Sequence, residues 1–142
     1  LYNWFAVADS RGVCPEGWHV PSDTDWQLLE VNLGMPSAGL NQTGWRGSAQ
    51  NVGGKMKSTQ LWNAPNIGAT NESGVTMVPS GTFYSTNNGF YGLGDNGSWW
   101  SSTEADVDRA WVRELDYSSE GVGRSSDNGV KTFGHCLRCL RD

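Results

Sequence analysis

Three groups of residues in this 142-residue chain have the types and spacing to do chemistry. Cys136 and Cys139 form a C-x-x-C with His135 directly before it. That spacing suits thiol redox or soft-metal ligation, although a closed zinc site needs about four ligands. Three cysteines permit one disulfide and one free thiol. Two readings stay open: a His135, Cys136, Cys139 cluster, or a plainer Cys14–Cys139 pair that leaves Cys136 facing elsewhere. Asp23 and Asp25 could serve as acid and base, but they directly follow Ser22, where capping a helix is the simpler use. Asn63, Asn66, Asn71 and Glu72 form an oxygen-rich run that could hold Ca²⁺. Tight turns use the same residues, and all-oxygen sites usually carry more carboxylates. The expectation is no cofactor, with Ca²⁺ as the alternative. No Ser/His/Asp grouping, phosphate loop or H-E-x-x-H is present, so the chain reads as non-catalytic.

The elements that must position these residues centre on Gly97 to Glu104. Trp99 and Trp100 are adjacent on an extended segment and point to opposite faces. One can enter a core; the other needs a second layer or a partner. Trp111, Arg113 and Leu115 share a face of the next strand, and Val112, Glu114 and Asp116 share the other. Gly at 19 and Trp at 8, against 10 Lys plus Arg, argue for many turns and a core built on a few large aromatics. The net charge of −5 disfavours nucleic acid as a partner. No apolar run approaches the roughly 20 residues of a membrane span, so direct membrane insertion is not expected.

In chain order, Leu1 to Val7 alternates like a strand, and Trp18 to Val20 reads as a second, short one. Ser22, Asp23 and Asp25 start a helix with Trp26, Leu29 and Leu33 on one face, stopped by Gly34 and Pro36. Met35 to Gly54 reads as an irregular loop anchored at Trp45-Arg46. Val52 to Lys57 reads as a short helix that Gly53-Gly54 weakens. Gly74 to Pro79 reads as a buried strand. Strands follow around Phe83-Tyr84 and Phe90-Tyr91, then over Ser98–Ser102, Arg109–Tyr117, Val122–Arg124 and Leu137–Arg141. Arg113 and Arg138 lie on apolar strands and, if buried, need carboxylates; Glu72, Glu104 and Asp25 are the candidates.

Several blocks together resemble one family. They are Leu1 to Val7, Cys14 to Trp26, Lys55 to Ser58, Ala69 to Gly74, Val78 to Gly81, Trp99 to Glu104, Ala110 to Arg113, and Arg138 to Asp142. In this order they resemble the Fibrobacter succinogenes major paralogous domain of bacterial exported and surface proteins. The resemblance implies one α+β domain over residues 1–142, lacking an upstream extended segment. The implied fold is C-type-lectin-like: two helices flanking small antiparallel sheets with long ordered loops. It implies the Cys14–Cys139 disulfide; Trp26, Trp99, Trp100, Trp111, Arg113 and Arg138 are read as structural from their own settings. The family's last strand reads Gly, aromatic, Ser, Val, Arg, Cys; here His135 and Cys136 replace the aromatic and the Ser.

The resemblance also relates the chain to variable proteins of diversity-generating retroelements, which vary between about residues 105 and 136. The implied function is a secreted or cell-surface binding module, of adhesin or receptor type, for a protein or glycan. Its contact set would be Asp106, Asp108, Val112, Glu114, Asp116, Ser118, Ser119, Gly123, Ser125, Ser126, Asp127 and His135. The alternatives are a structural module of a surface filament, self-assembling through an exposed edge strand, and, more remotely, a copper-type oxidase like the formylglycine-generating enzymes.

Overall fold

The Trp-Trp segment lies in the longest strand of a computed structural model that describes residues 1–142. The elements in chain order are α1 (Trp4–Val7), β1 (Trp18–His19), α2 (Asp23–Asn32), β2 (Gly44–Arg46), α3 (Val52–Met56), β3 (Ser80–Tyr84), β4 (Gly89–Leu93), β5 (Asn96–Glu104), β6 (Ala110–Asp116), β7 (Val122–Ser125) and β8 (Leu140–Arg141). Six strands form one sheet in the order β2-β7-β6-β5-β3-β4. All its pairings are antiparallel except β3 with β5, so the sheet is mixed. A separate ribbon, β1 with β8, ties the two ends of the chain together. The Cys14–Cys139 disulfide closes the same ends. No helix is long and apolar enough to cross a membrane.

Both tryptophans are buried, because the sheet is covered on both faces. Trp99 joins Trp26, Leu33, Val52, Met56 and Leu115 in the larger core beneath α2 and α3. Trp100 joins Trp4, Ala110 and Val112 in a smaller core on the opposite face. Burying one large aromatic contributes about 1.5–3 kcal/mol or more. Both indole N–H groups of the smaller core also find a carbonyl: Trp100 donates to Tyr2 at 2.7 Å, and Trp4 to Ser101 at 3.0 Å.

The larger core contains a buried ion network. Adjacent strands β2, β7 and β6 contribute Arg46, Arg124 and Arg113, all aimed at α2. Glu30 accepts from Arg46 at 2.9 Å and from Arg113 at 2.6 Å. Asp23 accepts from Arg113 at 2.7 Å and from Arg124 at 2.8 Å. Burial alone would raise the Asp23 pKa, but Arg124 and Arg113 together hold it below the usual carboxylate range. The Trp111 ring lies 3.5 Å from the Arg124 guanidinium.

Four expectations need correction. Leu1 to Val7 is not a strand: Asn3 accepts the Ala6 N–H and caps the one-turn helix α1, which drops Trp4 into the smaller core. Gly74 to Pro79 is irregular: Thr76 has φ of 54° with its N–H held by the Asn71 side chain, and only a bridge from Met77 to Lys57 remains. The last strand shrinks to Leu140–Arg141. Arg113 pairs with Asp23 and Glu30, not with Glu72, Glu104 or Asp25. Asp25 is taken by the capping box with Ser22, and Glu104 by Lys131. Arg138 is exposed and donates to the Val75 carbonyl, so it needs no carboxylate.

Glu30→Gln weakens one side of a buried pair of guanidinium contacts. The expected loss, by urea unfolding, is about 3–5 kcal/mol. A loss below about 1 kcal/mol would place this network with ordinary surface pairs.

Candidate functional site

The twelve residues singled out in the final third do not form one patch. Val112 is fully buried against Trp100, its cross-strand partner. Gly123 is buried, and a Cβ there would meet the Glu114 Cβ at 3.0 Å. His135 is buried against Trp100 at 4.4 Å between ring centroids, with Nε2 donating to the Asn128 carbonyl at 2.8 Å. Its neutral form follows: burial lowers the His135 pKa to about 4. These three cannot touch a ligand while the fold is intact. The shared face of Val112, Glu114 and Asp116 is real, but its coverage fades along the strand. Val112 is covered, and Glu114 is half-buried and accepts from Asn128 at 2.7 Å. Burial raises the Glu114 pKa, an effect reduced by the Asn128 bond.

The remaining residues separate to the two ends of β6. Its seven residues span about 20 Å at the rise of an antiparallel strand. At the first end, Asp127 pairs with Arg109 at 2.9 Å, and Asp106 accepts the Asp108 N–H at 2.9 Å to close a turn. Ser125 and Ser126 are half-buried on the same side.

At the second end, Asp116, Ser118 and Ser119 meet Trp45 around an open hollow of about 310 Å³. Strand alternation places Trp45 there: Arg46 points into the ion network, so its neighbour points out. Trp45 sits opposite Gly123 in the β2–β7 pairing and is 52% exposed. No cross-strand side chain covers the indole from that position. Asp116 Oδ1 accepts both the Ser118 N–H at 2.8 Å and the Ser118 hydroxyl at 2.6 Å. Oδ2 remains free. Ser119 Oγ accepts the Gly121 N–H at 3.1 Å, which leaves its own proton to donate.

A buried cation holds this end in place. Lys57 is fully buried, and its Nζ donates to the carbonyls of Ile67 at 2.7 Å, Asp116 at 2.9 Å and Ser119 at 2.9 Å. Helix α3 locks the next residue: the Gly53 and Gly54 N–H groups both donate to the Glu120 carbonyl. The two glycines that weaken α3 as a sequence pattern are required here. A Cβ on Gly53 would lie 1.9 Å from the Gly121 oxygen, and one on Gly54 would lie 2.1 Å from the Gly68 oxygen. Burial lowers the Lys57 pKa to about 8, partly opposed by Asp116 and Glu120.

Over residues 1–141 the sequence matches the Fibrobacter succinogenes major domain. The chain belongs to that family. No curated protein and no solved structure matches it significantly. In this family member the C-x-x-C is divided. Cys139 is bonded to Cys14, while Cys136 is a free, half-buried thiol packed against the larger core. His135 lies with Trp100 on the opposite side of the sheet, so the three do not converge as a cluster. Asn63, Asn66 and Asn71 use their side-chain N–H groups to bond Asp95, Ser58 and Thr76. Asn66 and Asn71 take left-handed backbone conformations, as turn residues do. By its sequence pattern alone Trp45 is a loop anchor, and Lys57 has no evident role. The usable signal was the Trp-Arg pair itself, since a buried Arg46 forces Trp45 outward.

Lys57→Met removes a donor from three carbonyls; those of Ile67 and Ser119 lose their partner, each costing about 1–3 kcal/mol if left buried, while that of Asp116 keeps the Ser119 N–H. The variant is expected to be less stable in urea at pH 7. The folded pKa of Lys57 is about 8 and its ordinary value 10.5. Between these the unfolded chain binds more protons, so the lysine's contribution to stability rises with pH across that window. The stability gap between wild type and variant should therefore widen from pH 8 to pH 10.5; a constant gap would contradict the buried, shifted ammonium.

Proposed function

We propose that this chain is a non-catalytic recognition module of a secreted or surface-attached bacterial protein, and that its ligand seats on the Trp45–Asp116 end of the sheet. One observation carries the reading. An exposed indole shares a hollow with a carboxylate oxygen and hydroxyls that have unused hydrogen-bonding capacity, on backbone pinned by Lys57. Rigid presentation lowers the ordering cost of binding. Aromatic, Ser and Asp side chains provide stacking area and adaptable polar contacts. A C-type-lectin-like arrangement is supported by the disulfide and β1–β8 ribbon that join the chain ends, and by α2 and α3 on one face of the sheet. A retroelement-diversified surface would have to exclude Val112, Gly123 and His135, which are interior.

A second reading, a self-assembling filament module, has its own support at β4. Phe83 exchanges both backbone hydrogen bonds with Gly134. Its β4 partner Phe90 therefore turns its N–H and C=O to the open edge. Phe90 is 75% exposed, and no charged residue guards the stretch from Ser73 to Gly94.

The deciding experiment screens the folded chain on glycan and cell-surface protein arrays beside Trp45→Ala and Asp127→Ala. Recognition at the proposed end predicts a ligand lost in the first variant and kept in the second. The reverse pattern would move the site to the Arg109–Asp127 end. Absence of any ligand, with concentration-dependent association that Phe90→Lys abolishes, would favour the filament module.

A further inference from the structure

Resting on the reading of this hollow as the recognition site, we infer that its ligand class is an uncharged pyranose sugar. The lining has one flat aromatic wall, Trp45, and three polar residues, Asp116, Ser118 and Ser119. A pyranose has the matching division: an apolar face of C–H bonds to lie on the indole, and a rim of hydroxyls that both donate and accept. The polar groups offer both roles. Asp116 Oδ2 is an unused acceptor. The Ser118 hydroxyl gives its proton to Asp116 and keeps its lone pairs for an incoming donor. The Ser119 hydroxyl accepts from Gly121 and keeps its proton for an acceptor. Hydrogen bonds to a charged acceptor are the stronger kind, so Asp116 gives the site its selectivity for hydroxyl donors. The hollow, at about 310 Å³, sits at the small end of ligand sites, about 300–1,000 Å³.

Other ligand classes fit less well. A carboxylated or sulfated sugar would meet Asp116, with Glu120 close enough to act on Lys57 below it, in a chain of net charge −5. A quaternary ammonium group is held by a cage of several aromatic walls, and Trp45 is the one aromatic residue here. A peptide anchored by apolar side chains would need a deeper apolar pocket than one exposed indole provides.

The test is a ¹H–¹⁵N titration of the 142-residue chain, watching the eight indole N–H signals. The probes are methyl glucoside, methyl galactoside, methyl mannoside and N-acetylglucosamine, with glucuronic acid as the charged counterpart. The expected result is a saturable shift of the Trp45 indole with at least one neutral sugar. Glucuronic acid should bind at least about tenfold more weakly. Trp45→Ala should abolish binding, Trp45→Phe should retain part of it, and Asp116→Asn should weaken it by about tenfold or more. If none of the neutral sugars shifts Trp45 while a protein ligand from the arrays does, the sugar assignment is overturned and the recognition reading stands. Saturable sugar binding that survives Trp45→Ala overturns the assignment of this hollow. Silence of Trp45 toward sugars and proteins alike overturns both.

Discussion

Everything in this domain depends on how three guanidinium groups are kept from water. Arg46, Arg113 and Arg124 come from three neighbouring strands and converge on two carboxylates of one helix. Three positive charges meet two negative ones. The excess is spread over carbonyls: Arg46 also donates to Gly39 and Leu40, and Arg124 to Asn41. The network thereby fixes the distance and rotation of α2 on the sheet, and fastens the loop from residues 39 to 41 that leads into β2. An apolar replacement could match its stability. What the ions add here is register, because Arg113 bridges the two carboxylates while Arg46 reaches Glu30 and Arg124 reaches Asp23. Slipping β2 by one residue would turn Trp45 inward and Arg46 into solvent.

That register is what links the interior to the surface. Because Arg46 must point in, Trp45 must point out, beside Gly123 and the end of β6. Lys57 then performs at the loop what the arginines perform at the helix. One buried cation satisfies the Ile67 and Ser119 carbonyls, shares that of Asp116 with the Ser119 N–H, and sets the path of residues 116 to 119. The exposed hollow is thus built from both sides by buried positive charge, in a chain whose net charge is negative. The half-buried Glu114 and the interior His135 belong to the packing around Trp100 and Asn128, not to the exposed surface.

Much of this architecture was legible in the sequence, for identifiable reasons. Ser22, Asp23 and Asp25 announce α2, since capping chemistry is local. The adjacent Trp99 and Trp100 call for a second layer or a partner on one face, and the structure supplies the layer. The Cys14–Cys139 pairing and the family membership were also within reach. What escaped was non-local. Nothing within a short window says that Glu30, rather than Asp25 or Glu72, meets Arg113, because their separation in the chain is 83 residues. The alternation of Leu1 to Val7 looked like a strand because the cap at Asn3 competes with periodicity. Strand alternation correctly put Val112 with Glu114 and Asp116, yet alternation reports a face and not what covers it. Here α1 and the segment through His135 cover the Val112 end and leave the Asp116 end open.

Lys57 should hold the Trp45–Asp116 end as firmly as the core that supports it. Native-state hydrogen exchange measures this directly at amides bonded across the loop. They are Gly53 to Glu120 at 2.8 Å, Ile67 to Tyr117 at 2.8 Å, and Tyr117 to Asp95 at 2.8 Å. The account predicts that these amides exchange only through global unfolding, with the same free energy as the amides of β5 and β6. Exchange of this set through local opening, at a much lower free energy than the β5 and β6 amides, would show that the loop is not fixed by Lys57 and would contradict a pre-formed binding surface.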